Sequence, residues 1–207
     1  MAAGTLLGMT ELLEALRPTT EDLHRDFATA AGCWWQYVEH LAEGDLSAAT
    51  PCEGWTVRDL LNHVVTGELM TLAICGEGPM PTRGEDYLGS DWRESATTTH
   101  KRALALPDRL VEDTLYALPM GEIPGWVFVR MRSMEYFSHA WDIADALGKA
   151  TSGWDMTVLD RVFTFAKARL AGVPRGKGKP FAEIVPVADD APLPDKFAAF
   201  LGRTSLR

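Results

Sequence analysis

Along residues 20–43 the apolar side chains Leu23, Phe27, Ala30, Ala31, Trp34, Val38 and Leu41 return every three or four positions. That spacing stacks them on one face of an α-helix and predicts a long helix with a buried stripe. Thr19 or Thr20 caps its start, and Glu21 and Asp22 suit the positive end of its dipole. A short helix over 9–17 ends before Pro18, because a residue preceding proline disfavours the α region. After a loop at 43–55 marked by Gly, Pro and Ser, a second helix is expected from Thr56 to Cys75, stopping at Gly76. Thr56 and Asp59 form a weak capping box at its start.

The loop at 76–91 is long enough to cover a site, and a third helix follows over 91–104. Residues 109–123 read as an extended arm or a hairpin. Pro124 suits the first turn of a fourth helix that ends at Gly148. Beyond it come a helix over 155–171, a strand at Phe181–Val187 and a short helix ending near Gly202. Substantial helices joined by loops, without internal repeats, make the fold class mainly α: a four-helix bundle with a short C-terminal strand/helix appendage. The expected organisation is an extension at 1–18, a bundle at 19–175 and an appendage at 176–207 packed on the bundle.

Charge narrows the partners. A net charge of −9 and a pI near 5.0 oppose a nucleic-acid partner, which requires clustered Lys and Arg. The basic run RGKGK at 175–179 is a solvated loop by its glycines and the proline before it. Three cysteines, Cys33, Cys52 and Cys75, form neither an even set nor a CxxC pair, so a reducing cytoplasm is the expected compartment. The first residues lack the basic and apolar regions of a signal peptide, and no run reaches the roughly 18 apolar residues of a membrane span. A small-molecule partner is expected, with self-association left open.

The fourth helix carries the chemistry. Glu135 and His139 are four residues apart and project together, with Arg132 one turn before and Asp142 one turn after. Phe128, Met131, Phe137, Trp141, Ile143 and Leu147 make the rest of that helix apolar, as interior helices are. Buried charge is tolerated when it is paired or binds a metal. Alone, the helix is compatible with a structural Glu–His bond or a Glu135–Arg132 ion pair. On the second helix, however, His63 lies in the stripe Leu60, His63, Gly67, Met70, Ile74, with Gly67 leaving space one turn away. Facing helices of a bundle build metal sites from inward side chains, and two imidazoles with one carboxylate suit zinc or a neighbouring divalent metal. His24, His40 and His100 read as surface or packing residues, and Cys52 as structural. Arg132 is read equally as a partner of Glu135 or of a substrate carboxylate.

TPCEGWTVRDLLNHVVTGE (50–68) and RMRSMEYFSHAWDIADALG (130–148) resemble the two signature segments of the actinobacterial mycothiol-dependent maleylpyruvate isomerase family. FAEIVPVADDAPLPDKFAAFLGR (181–203) resembles the C-terminal segment of a short branch of it. The resemblance implies a DinB-like four-helix bundle with a divalent metal, most commonly zinc, on His63, Glu135 and His139. It implies mycothiol as a cofactor thiol for cis/trans isomerisation or S-conjugation of a small electrophilic substrate. Met70, Phe128 and Met131 would then wall the thiol pocket, and Arg132 would meet an acidic group. Residues after 175 are fewer than a full-sized second domain, which leaves the maleylpyruvate substrate itself open. The rival readings are hydrolysis by metal-activated water, which needs no thiol, and non-catalytic binding of a metal or small molecule on the same scaffold.

Overall fold

The structure is a computed structural model that describes residues 11–105, 107–118, 121–179 and 181–207. Helix α1 spans Thr20–Val38, α2 Val57–Ile74, α3 Trp92–Ala103, α4 Gly125–Ala146, α5 Met156–Arg169 and α6 Leu193–Phe200. A 3₁₀ turn at Glu43–Ser47 follows α1, and a hairpin of β1 (Leu115–Leu118) and β2 (Gly121–Pro124) precedes α4. The antiparallel register pairs Leu115 with Pro124 and Leu118 with Gly121, so the hairpin is the alternative realised at 109–123. Residues 11–14 are helical, whereas Met9 and Thr10 of the expected opening helix lie outside the described residues.

Helix α4 is the centre of the molecule, packed against α1, α2, α5 and α6. Of its residues only Met131, Glu135 and Ala146 escape burial. Trp126, Phe128 and Phe137 are enclosed in the core, each stabilising it by roughly 1.5–3 kcal/mol. The start of α4 is shaped by its neighbour loop. Gly125 N–H donates to Thr114 O (3.0 Å) and Trp126 N–H to Glu112 O (3.1 Å), satisfying donors that a helix start leaves free. A side chain on Gly125 would meet Val111 O at 2.5 Å, so only glycine lets the chain turn there. Pro124 consequently stands at the cap, one place before the helix.

Two expectations are corrected. Helix α1 stops at Val38 instead of 43, and Arg93 from α3 takes carbonyls just past its end: Nη1 donates to Glu39 O (3.2 Å) and Nη2 to Leu41 O (2.5 Å). Residues 181–187 form no strand. No second strand lies alongside them among the described residues, and Val185 N–H instead donates to Ala199 O of α6 at 3.0 Å.

The C-terminal segment is fastened to α4 by polar contacts. Trp141 Nε1 donates to Asp195 Oδ1 (2.8 Å), and buried Asp145 accepts from Ser205 Oγ (2.6 Å) and Leu206 N–H (2.8 Å). On the opposite side Asp26 of α1 takes Arg130 of α4 (2.6 Å) and Arg161 of α5 (2.9 Å). Among the described residues, no helix is long and apolar enough to cross a membrane.

Candidate functional site

On α4, Met131 and Glu135 are part-exposed within an otherwise buried stretch. His63 of α2 is exposed, and its ring lies 5.1 Å from that of His139 on α4, edge to face at 78°. The loop before α2 supplies a third ring: Trp55 sits 5.0 Å from His63. Thr50 anchors that loop, its N–H and Oγ1 both donating to Trp55 O at 2.9 Å. Desolvation by the groups packed around the ring, and then the neighbouring His139, lower the His63 pKa to about 4, so its ring is neutral at physiological pH.

His139 is buried, and its Nδ1 lies 3.0 Å from Asp142 Oδ2. Burial pushes the Asp142 carboxyl up, but Arg203 and His139 more than offset it and hold it below the usual range. An ionised carboxylate only accepts, so Nδ1 is the donor to it, and in the neutral tautomer Nε2 is the nitrogen left with a lone pair. Cys52 Sγ lies 3.3 Å from the same Oδ2. Burial, then Asp142, push the thiol up to about 12, which makes Cys52 a hydrogen-bond donor and leaves it inert as a nucleophile. The other oxygen, Oδ1, faces Arg203 Nε at 3.4 Å.

Glu135 bonds Arg132 one turn earlier on the same helix. Its side chain is 33% exposed while that of Arg132 is only 3% exposed, so the carboxylate stands at the opening and the guanidinium beneath it. Burial pushes the Glu135 carboxyl up; Arg132, His63 and His139 outweigh that and keep it ionised. The space beside Gly67 is not empty, as its position in the stripe suggested. The Arg132 guanidinium fills it, with Cζ 3.0 Å from where a Cβ would stand. Arg132 also lies over the Tyr136 ring at 5.3 Å.

Behind Arg132 is a buried network that the spacing of residues along one helix did not reveal. Glu68 Oε1 accepts from Tyr136 OH at 2.8 Å and lies 2.8 Å from His100 Nδ1. Trp35 stacks on His100, centroids 4.6 Å apart and planes 8° from parallel. His100 is therefore a partnered core residue, while His24 and His40 keep to the surface region beside Asp108 and Glu39.

Among the described residues, Cys52, His139 and Asp142 form the one group of three such side chains with ligand atoms all within 4.8 Å. Their geometry is that of an orienting network. Asp142 is already engaged by two donors and faced by Arg203, and Cys52 keeps its proton. The expected trio is looser: His63 and His139 adjoin, and Glu135 stands in their electrostatic field while bonded to Arg132. Met70 and Met131 are half-buried against the core, but Phe128 is enclosed and offers no open wall. Asp142 was legible from its place three residues after His139; Arg203, from the far end of the chain, carried no local signal.

The family described as the mycothiol maleylpyruvate isomerase N-terminal domain matches residues 27–144. That range holds His63, Glu135, His139 and Asp142 and leaves out Arg203. Uncharacterized proteins from two strains of Mycobacterium tuberculosis are each 35% identical over 159 residues, spanning 77% of this chain and 85% of their own. The crystal structure of a mycothiol-dependent maleylpyruvate isomerase shares the fold, with a TM-score of 0.52 at 17% identity over 70% of this chain and 68% of that one.

Proposed function

The chain belongs to the mycothiol maleylpyruvate isomerase N-terminal domain family, and from that membership we propose a cytosolic enzyme that delivers a mycothiol-type thiol to a small electrophilic substrate. The observation that carries this reading is the pair His63–His139 at the opening, with His139 pinned by Asp142 through Nδ1. In this reading residues 19–175 are the catalytic bundle and 176–207 the appendage that braces Asp142.

The donor set fits a divalent metal. Metal ligands must be unprotonated, and His63 is held neutral beside the ionised Glu135, with the His139 ring next to both. A carboxylate on the far nitrogen of a ligating histidine is the usual outer-shell support, the part Asp142 takes here. His63, Glu135 and His139 would hold the ion, and zinc suits them. When bound, such an ion supplies acidity, converting a coordinated thiol to the nucleophilic thiolate.

The protein's own groups do the rest. Asp142 keeps the His139 proton on Nδ1 and so fixes the ring's direction. In the metal-free protein Arg132 pairs with Glu135 from below and holds that carboxylate ionised. Met70 and Met131 offer soft apolar surface for a sulfur-bearing ligand. Thiolate addition to a conjugated double bond leaves a single bond free to rotate. The displaced π pair rests on the conjugated acceptor as an enolate: its return with loss of thiolate gives the isomer, whereas its protonation by solvent gives the S-conjugate.

Elemental analysis of the purified protein and of H63A, E135A and H139A tests the site: each variant should stay helical and lose stoichiometric metal. Adding thiol to cobalt-substituted protein should then produce a sulfur-to-metal charge-transfer band. Full metal occupancy in all three variants refutes the ligand assignment. Metal without a thiol band, together with turnover that needs no thiol, supports activated water instead.

A further inference from the structure

Arg132 is the most buried cation beside the site, yet two of its three nitrogens, Nε and Nη2, have no hydrogen-bond partner among the described residues. Leaving such donors unpaired in the interior is costly and calls for a reason. Its one hydrogen bond among the described residues, through Nη1, runs to Glu135. The seat is built for the group: α2 has a glycine where any Cβ would collide with the guanidinium, and the Tyr136 ring forms the opposite side. Behind it, Glu68 supplies a second negative charge, held on Tyr136 and His100 and attracting Arg132 from the core side.

We propose that Arg132 is the resident counter-ion of Glu135 in the metal-free protein, and that it yields the carboxylate when a divalent cation binds, falling back toward Glu68. The inference rests on the metal-site reading above. A carboxylate oxygen engaged by a guanidinium has less lone-pair capacity for a metal, and two cations on one carboxylate repel. Metal and Arg132 therefore compete for Glu135. The unpaired Nε and Nη2 are the donors that a retreating guanidinium would present to Glu68. Removing Arg132 should thus tighten metal binding, the opposite of what loss of a supporting residue does. Site-to-site couplings are commonly about 5- to 150-fold, and roughly tenfold is expected here.

The test is calorimetric titration of Zn²⁺ into chelator-stripped wild type, R132M, R132K and G67A, with thermal unfolding of each metal-free protein. R132M should bind Zn²⁺ about tenfold more tightly than wild type and unfold at lower temperature without metal. R132K, which keeps the charge without the planar fork, should fall between them. G67A dislodges the guanidinium without removing charge; it should also tighten Zn²⁺ and lower the metal-free melting temperature, although alanine is the better helix former. G67A thereby decides the matter if R132M does not fold. Equal or weaker Zn²⁺ binding by folded R132M, or by G67A in its place, overturns the proposal while leaving the metal site standing. Absence of Zn²⁺ binding in every protein, wild type included, overturns both.

Discussion

Replacing Asp142 with asparagine keeps the shape of the hub behind His139 and removes its charge. Asp142 is fully buried, takes His139 Nδ1 at 3.0 Å and Cys52 Sγ at 3.3 Å, and faces Arg203 Nε at 3.4 Å. The Arg203 side chain is 16% exposed, so in D142N the guanidinium loses its counter-charge without gaining much water. Removing one partner of a buried ion pair costs about 3–5 kcal/mol. An asparagine carbonyl still accepts from His139 and Arg203 keeps some solvent, which places the expected loss at the low end, about 3 kcal/mol. In a chain this long, one kcal/mol moves the melting temperature by about 2–4 °C, so D142N should melt about 6–12 °C lower.

Urea unfolding at neutral pH measures the free energy, and its pH dependence identifies the source. The folded Asp142 carboxyl lies below the unfolded value of about 3.9, burial being outweighed by Arg203 and His139. The stabilisation is fully present above that unfolded value and is lost as pH falls through the folded one. The gap between wild type and D142N should be level from about pH 5 to 8 and narrow below about pH 4. A loss under about 1 kcal/mol at pH 7 refutes the reasoning, as does an undiminished loss in an R203M background, where a double-mutant cycle should show coupling.

The Cys52 thiol, pushed up to about 12, is thiolate in only about one molecule in ten thousand at pH 8. Peptide mapping should find it unlabelled by iodoacetamide in native protein and labelled in urea; rapid native labelling contradicts the buried donor. E68Q should cost about 1–3 kcal/mol in thermal unfolding, because Tyr136 and His100 share the carboxylate oxygen it replaces. An unchanged melting temperature would show that network to be idle. D26N strips the common partner of Arg130 and Arg161 and should cost about 3–5 kcal/mol, more than D142N; a smaller loss than D142N would count against the pairing.

The helices were legible because their signals are local. The capping box at Thr56 forms as its spacing implied, with Thr56 N–H donating to Asp59 Oδ2 at 2.9 Å and Asp59 N–H to Thr56 Oγ1 at 3.3 Å. Features decided at a distance were not legible. The carbonyls just past α1 are taken by Arg93, whose contact with Glu39 spans 54 positions, and residues 181–187 had strand-like composition but no neighbouring strand. The site divides the same way. Glu135, His139 and Asp142 share one helix and could be read together. Glu68, His100 and Tyr136 meet across separations of 32 and 68 residues, and no periodicity along one helix reports that.

Burial along α4 explains why its charges are not equivalent. Arg130 is answered by Asp26 from α1, Tyr136 by Glu68 from α2, and Asp145 by Ser205 and Leu206 from the C-terminal segment. Asp142 bonds within α4 but also draws Cys52 from the loop before α2 and Arg203 from the C-terminal segment. Arg132, Glu135 and His139 differ: their hydrogen bonds among the described residues stay within α4. Of the charged and imidazole side chains on this core helix, these three are the ones without a hydrogen-bond partner from outside it among the described residues. Two of them, Glu135 and His139, stand beside the exposed His63, and the third lies in a seat that only glycine permits. Structural ion pairs alone would have been closed from the facing helix, as Asp26 closes Arg130. The side left open at Glu135 and His139 is the side from which a bound group would complete them.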